Sequence, residues 1–297
     1  MQYALRQLEY FQAVVEQGNF YLAAERCHIS QSAISQQIKK LGEEIGIKLL
    51  NRHNRTFTLT TAGEHFYRKS LVITGDIKQL IRETKRIGNQ TDTTLHLGCY
   101  KGYSGEELIK VISEFSESYP TVTIQVTAGS HEELFEALEN HTIDIALSDQ
   151  RRVFSEAYNN IILAKSKTYI EISAKNPLSK LPEIEINELK NTPCILVANE
   201  NTKEEEQQYC EKIIGLKSSS DILADSLQEA RLKIATGQGF MLLDVIGEEP
   251  QRNTAIRRIP LTRQSEPITK TYCAFWKKNH EEDSIKAFAN ILKSQFQ

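Results

Sequence analysis

The stretch AAERCHISQSAISQQIKKL, residues 23–41, restricts this chain more than any other because it carries two demands at once. Ile34, Ile38, Leu41 and Ile45 recur at steps of four, three and four, which lines them along one helix face and requires that face to be buried. Gln31, Ser32, Ser35, Gln36 and Lys39 must then look outward, and no acidic residue lies between Glu25 and the end of the stretch. A solvated helix normally scatters Glu and Asp over its wet face. A face of Gln, Ser and Lys suits a polyanion instead. Gln makes bidentate hydrogen bonds to an adenine edge, Ser bonds base or phosphate, and Lys neutralises phosphate.

The flanking residues complete a reading head. Leu5, Leu8, Phe11, Val14 and Val15 predict a first helix, Gly18 its stop, and Asn19 the cap of a short second helix over about residues 20–27. Ala23 and Ala24 let two helices cross closely, His28 and Ile29 form a tight turn, and Ser30 is the N-cap of the third helix. After Gly46, Ile47, Leu49, Phe57 and Leu59 alternate around RHNR, which predicts a two-stranded wing with Arg52 and Arg55 near its tip. Thr60 or Thr61 then caps a long helix on which Phe66, Ser70, Ile73, Ile77, Leu80, Thr84 and Ile87 alternate at spacings of four and three. No local core is evident for that seam, so a partner helix is its expected cover. Ser70 and Thr84 weaken it.

The net charge of −3 over 297 residues hides an asymmetry: residues 1–89 carry +5 and residues 90–297 carry −8. A basic head on an acidic body places the polyanion contact in the head alone. No apolar run is long enough to cross a membrane and the N-terminus lacks a signal-peptide layout, so a cytoplasmic protein is expected. The five cysteines are widely spaced without a C-x-x-C, and the seven histidines show no ligand spacing; neither a metal nor another cofactor is expected. Gly237 and Gly239 follow a helix and precede a strand, the reverse of a dinucleotide fingerprint, and GYSG around Ser104 is not a nucleophile elbow. An enzyme is disfavoured.

These residues, from LRQLEYFQAVVEQGNFYLAAERCHISQSAISQQIKKL through LTTAGEHF, resemble the LysR-type transcriptional regulators. The resemblance implies a winged helix-turn-helix domain over residues 1–60, a dimerisation helix over 61–89 and an effector-binding domain over 91–297. It further implies a dimer or tetramer on double-stranded promoter DNA, acting with RNA polymerase and switched by a small-molecule effector. Ser30, Gln31, Ser32, Ser35, Gln36 and Lys39 would occupy DNA-contacting positions, with Arg52 and Arg55 in the wing. Phe66, Ile73, Ile77, Leu80 and Ile87 would form the dimer seam. Ser32 stands where relatives commonly carry Pro, and Gly42 where they carry Glu.

Beyond residue 91 strands and helices alternate, which argues for parallel sheets with ligands at the carboxyl ends of the strands. The family resemblance adds an α/β effector domain of two Rossmann-like lobes, similar to periplasmic binding proteins. Lobe I would span about 91–163 and 268–297 and lobe II about 164–267, with hinges near Ala164 and Pro267. Strand ends then place Tyr100, Lys101, Gly102, Tyr103 and Ser104 on one side of a cleft, with Gly129, Ser130, Ser148 and Asp149 nearby. Ala198, Asn199, Asn201, Thr202, Asp225 and Ser226 would face them. Gly102 sits where many relatives have an effector-touching Ser or Thr. Arg151 and Arg152 read as a solvated pair. The rival reading is a redox sensor of the same fold, in which Cys194 and Cys210 form the responsive pair.

Overall fold

A computed structural model describes residues 5–53, 56–89, 93–103, 106–151, 153–217, 220–246, 254–279 and 282–296. The chain separates into two compact units, Met1–Thr91 with Glu139–Thr142, and Asp92–Leu138 with Ile143–Gln297.

The first unit opens with α1 (Leu5–Gln17), α2 (Phe20–Arg26) and α3 (Gln31–Ile45). The Asn19 side chain caps α2 by accepting from the Tyr21 N–H, and the Ser30 hydroxyl caps α3 by accepting from the Ala33 N–H. Each such cap is worth about 1 kcal/mol. Between them His28 takes a left-handed φ of 54°, which turns the chain sharply enough for Ile29 to bond back to Ala24. Phe11, Val14, Ala23, Ala24, Ile34, Ile38 and Leu41 are buried together in the core of this unit. The wing is β1 (Leu50–His53) paired antiparallel with β2 (Thr56–Leu59), in register Leu50 to Leu59. Ile47, expected on the first strand, lies before it and is exposed.

Helix α4 runs from Thr61 to Asn89. Thr60 anchors its start, donating to the Lys48 carbonyl at 2.8 Å and accepting from the Gly63 N–H at 2.9 Å. A Cβ at Gly63 would stand 2.0 Å from the Leu49 carbonyl oxygen, so the helix can lie this close to the wing only with glycine there. These contacts give the Leu-Thr-x-Ala-Gly motif its physical content. Phe66 packs edge-on against Phe11, with ring centroids 5.4 Å apart.

The second unit contains β3 (Thr93–Tyr100), α5 (Glu106–Ser118), β4 (Val122–Gly129), α6 (His131–Glu139), β5 (Ile145–Asp149) and β6 (Tyr158–Ser173). It continues through β7 (Ile184–Glu185), β8 (Cys194–Val197), α7 (Lys203–Tyr209), β9 (Asp221–Ala224), α8 (Leu227–Ala235) and β10 (Phe240–Val245). It closes with β11 (Ile256–Arg263), β12 (Glu266–Pro267), β13 (Thr269–Lys277) and α9 (Asp283–Phe296). Helix α7 passes directly into a π-helical turn over Cys210–Ile214 that stops at Gly215.

The strands run in the order β4-β3-β5-β13-β6-β10-β8-β9, and β11 also pairs with β6. Pairing is parallel among β3, β4 and β5 and among β8, β9 and β10, as the alternation predicts. The centre corrects the all-parallel expectation: β13 is antiparallel to β5 and β6, and β6 is antiparallel to β10. Strand β6 reaches both ends because its 16 residues pair with β13 in their first part and with β10 and β11 in their second. Ala164 lies inside β6, beside a register shift against β13 at Tyr272/Cys273, and Pro267 lies in β12. Two of this unit's hydrophobic clusters distinguish the lobes. Leu97, Phe115, Tyr272 and Phe288 belong to the first, here lobe I, and Ile170, Leu196, Phe240 and Leu261 to the second, lobe II.

Candidate functional site

In the first unit, Gln31, Ser32, Gln36 and Lys39 are exposed on α3 while Ile34, Ile38 and Leu41 are buried, and Ser35 is half-buried. The Ser30 and Ser32 hydroxyls lie 3.0 Å apart at the helix start, so the hydroxyl at the usual Pro position is held against the capping one. Lys39 pairs with Glu43 one turn on, at 3.6 Å and well exposed, which leaves its ammonium free to exchange that weak partner for phosphate. Arg52 lies in β1, and Arg55 falls outside the described residues.

The long-helix seam divides. Phe66 is in the head's core, and Ser70 and Thr74 are buried where Gln12 donates to both hydroxyls at 3.1 Å. Ile73, between them in sequence, and Leu80 and Ile81 further along are exposed, Leu80 to 61%, and Ile77 is half-buried. Ile87 is helical.

In the second unit, the predicted cleft is crowded by charge. Arg151 follows the end of β5 with its side chain only 9% exposed, which overturns the expectation of a solvated pair; Arg152 lies outside the described residues. The Arg151 guanidinium donates from Nε to both Asp149 oxygens at 3.2 Å and from Nη1 and Nη2 to Glu206 at 3.2 and 3.4 Å. It lies 3.6 Å from the Tyr209 ring centroid and 5.1 Å from that of Tyr100. Tyr209 donates its hydroxyl to Asp149, and Tyr100 donates to Glu206 at 3.4 Å. Lys270 on β13 pairs with Asp244 on β10 at 2.8 Å.

A second bridge between the lobes runs through Glu133, which accepts from Asn199 at 3.2 Å and pairs with Lys101 at 3.5 Å. Burial alone would push the Asp149 carboxyl up, but Lys270, Arg151 and the Tyr209 hydroxyl outweigh it and hold the group at about 2. Burial, reinforced by Asp149, raises the Tyr209 phenol. For Glu133 burial is likewise outweighed, by the Ser130 N–H, Lys101 and Asn199, and its carboxyl is lowered.

Of the predicted cleft residues, Tyr100, Lys101, Asp149 and Asn199 join these networks. Gly102 is buried, and a Cβ there would stand 2.6 Å from the Tyr100 ring, so the ring fills the place of the Ser or Thr common in relatives. Tyr103 turns into the core of lobe I, 4.7 Å from Tyr272. Ser130 is consumed in capping α6, Ser148 bonds Asp149 and His131, and Asn199 and Thr202 organise the start of α7. Gly129 packs against Glu133 and Leu134, Ala198 is buried, and Asn201 is exposed. Asp225 and Ser226 are exposed and occupied in starting α8. Ser104 lies outside the described residues. Glu206, Tyr209, Asp244 and Lys270 escaped the sequence reading. Glu206 belongs to a run of three Glu in which nothing local marks the buried one.

Residues 5–64 match the model of the bacterial regulatory helix-turn-helix protein, lysR family, and residues 88–297 match the LysR substrate binding domain. The chain belongs to the LysR family. It is a DNA-binding transcriptional regulator with an effector-binding domain, a family of regulators rather than enzymes. Among LysR relatives, the transcriptional regulator BudR of Raoultella terrigena is 28% identical over 295 residues, covering 97% of this chain and 99% of that one. BenM of Acinetobacter baylyi is 26% identical over 285 residues, covering 94% and 91%. The LysR family regulator CbnR shares the fold, with a TM-score of 0.66 at 18% identity over 99% of this chain and 100% of that chain. CbnR has also been solved with its target DNA. No described helix is long and apolar enough to cross a membrane.

Proposed function

We propose that this regulator binds promoter DNA in the cytoplasm as a dimer or tetramer, and that a small molecule held between lobes I and II alters that binding and contact with RNA polymerase. The proposed division is residues 1–60 for DNA reading, 61–89 for dimerisation and 91–297 for effector binding. The observation that carries the reading is the exposed face of Gln31, Ser32, Gln36 and Lys39, without an acid before Glu43, on a capped helix whose other face is buried. Exposed Ile73, Leu80 and Ile81 supply an apolar stripe suited to a second copy of α4. Two-fold pairing would then demand inverted half-sites at fixed separation. The bridges among Arg151, Glu206, Asn199 and Glu133 make the lobe arrangement responsive to whatever enters between them.

Genome-wide mapping of bound promoters followed by footprinting tests the reading. Paired, inverted protected segments are expected; protection without two-fold symmetry at every mapped promoter counts against it. The genes beside those promoters would narrow the effector.

The redox reading draws support from one observation, a cavity of about 210 Å³ lined by both Cys194 and Cys210. Their chemistry opposes it. Burial holds the Cys194 thiol well above its usual range and pushes Cys210 up to about 12, which suppresses the thiolate that an oxidant must meet.

A further inference from the structure

We propose that the cleft between the lobes is a cation site already filled by the protein's own Arg151, and that the effector is a small organic cation, guanidinium or ammonium, that takes its place. The proposal rests on the effector-binding reading above and gives that site its ligand chemistry.

The surroundings of Arg151 are those of a bound ligand. Its planar head has an aromatic ring 3.6 Å away at Tyr209 and a second at Tyr100, and among the described residues it donates to the carboxylates of Asp149 and Glu206. Rings and carboxylates around a delocalised cation are the elements by which proteins recognise guanidinium and ammonium groups. The two acceptors come from different lobes, so whatever occupies the cage also holds the lobes together.

Among the described residues, a cavity of about 40 Å³ lies beside this cage, lined by Tyr100, Glu206, Tyr209, Asp244 and Lys270 among others. That is room for a few waters, whereas effector-sized ligands occupy roughly 300 Å³ or more. Entry at this cavity therefore requires something to leave. Tyr100, Asp149, Asp244 and Lys270 are fixed on strands β3, β5, β10 and β13, and Glu206 and Tyr209 on α7. Of the cage members, Arg151 alone lies outside the strands and helices, two residues from Val153, which is 93% exposed. It is the member that can swing out.

Its departure sets the class of the replacement. Asp149, Glu206 and Asp244 would be left buried with Lys270 as the one cation shared among the three of them. An incoming anion would add to that uncompensated charge, whereas a cation restores it.

The test is calorimetric titration of the full-length chain with agmatine as the cation probe and succinate as the anion probe. Agmatine should bind the wild type, and should bind Arg151→Gln at least about tenfold more tightly, because the internal competitor is gone. Glu206→Gln should weaken agmatine by at least about tenfold. Arg151→Lys, which keeps a charge in the cage, serves as the second variant if Arg151→Gln does not fold; it should fall between wild type and Gln. Succinate binding that depends on Arg151 would overturn the cation class and leave the inter-lobe effector site standing. Agmatine binding that ignores both Arg151 and Glu206 would overturn the cage. If neither probe binds and promoter footprints ignore every cleft variant, the effector reading falls along with this proposal.

Discussion

Arg151 and Glu206 meet across the two lobes, Nη1 to Oε1 at 3.2 Å, although 55 residues separate them in the chain. Both side chains are nearly buried, so each has surrendered its water and depends on the other. Removing one partner strands a buried charge, which typically costs about 3–5 kcal/mol. Arg151→Met should lower the unfolding free energy of the effector-binding unit by about 3 kcal/mol, with Asp149 and Glu206 both left behind. Adding Glu206→Gln should recover part of that loss, since the second substitution removes a stranded acid. Urea titrations of the two singles and the double measure the coupling. Additive losses would mean the two groups do not depend on each other.

Asp149 predicts an acid response. Its carboxyl is held at about 2 against an ordinary 3.8, so the native state binds its proton less readily than the unfolded chain does. A depressed carboxyl adds stability that is fully present above its unfolded value and fades as pH falls through the folded one. The gap is worth about 2 kcal/mol at neutral pH, of which about 1 kcal/mol should disappear between about pH 5 and about pH 3. The difference between wild type and Asp149→Asn in urea stability should shrink by that amount over the same interval. A difference that stays level with pH would show that the carboxylate is not held down by Lys270, Arg151 and Tyr209.

The reading head was legible because its signals are local. Ser30 precedes α3 by one residue, Ile34, Ile38 and Leu41 keep one period, and Thr60 reaches only three residues to Gly63. The seam on α4 was legible in part. Its sequence spacing does not reveal that Gln12, 58 and 62 residues away, satisfies Ser70 and Thr74 and draws the start of the helix into the head. Likewise the part of β6 before Thr168, with Asn159, Asn160, Lys165 and Lys167, lacks the sequence alternation of a half-buried strand, and nothing local shows that it continues into the apolar end of the strand. The cleft was least legible. A basic residue beside Asp149 in a loop looks the same whether solvated or caged, and only the fold brings Glu206 and Tyr209 to it.

Gly63 and Gly42 should respond in opposite directions. A Cβ at Gly63 would lie 2.0 Å from a backbone oxygen that cannot move without pulling the wing from α4. Gly63→Ala should therefore destabilise the head by about 2 kcal/mol or more, in the range of overpacking in a tight core. At Gly42, inside α3, the same atom would lie 3.4 Å from the carbonyl oxygen of Ile47 just beyond the helix end, an ordinary van der Waals contact. Gly42→Ala should stabilise by about 0.5–1 kcal/mol through reduced unfolded-state entropy. Thermal unfolding of both variants decides the matter, and equal shifts in one direction would contradict it.

Gln36 is exposed on α3, among Ser and Gln residues and ahead of the helix's first acid, Glu43. If it reads a base, Gln36→Ala should weaken binding to a specific promoter by about 1–3 kcal/mol and leave binding to unrelated DNA nearly unchanged. Lys39→Ala should weaken both, and should flatten the salt dependence by about one ion, because a phosphate contact carries no sequence information. Equilibrium binding to both DNAs at several salt concentrations separates these outcomes. Equal losses on both DNAs for Gln36→Ala would remove base reading from that residue.

Cys194 and Cys210 belong to one buried cluster in lobe II, and each thiol is kept protonated chiefly by burial. Peroxide reacts with thiolate, so at neutral pH both should react slowly, and a response to oxidants through them would require lobe II to open first. Cys194→Ser and Cys210→Ser should accordingly leave promoter occupancy after brief peroxide treatment the same as in the wild type. Mass spectrometry of the treated wild-type protein should find both thiols reduced. A Cys194–Cys210 disulfide forming within minutes, with occupancy changing in step and the change lost in either serine variant, would establish the redox reading in place of the effector one.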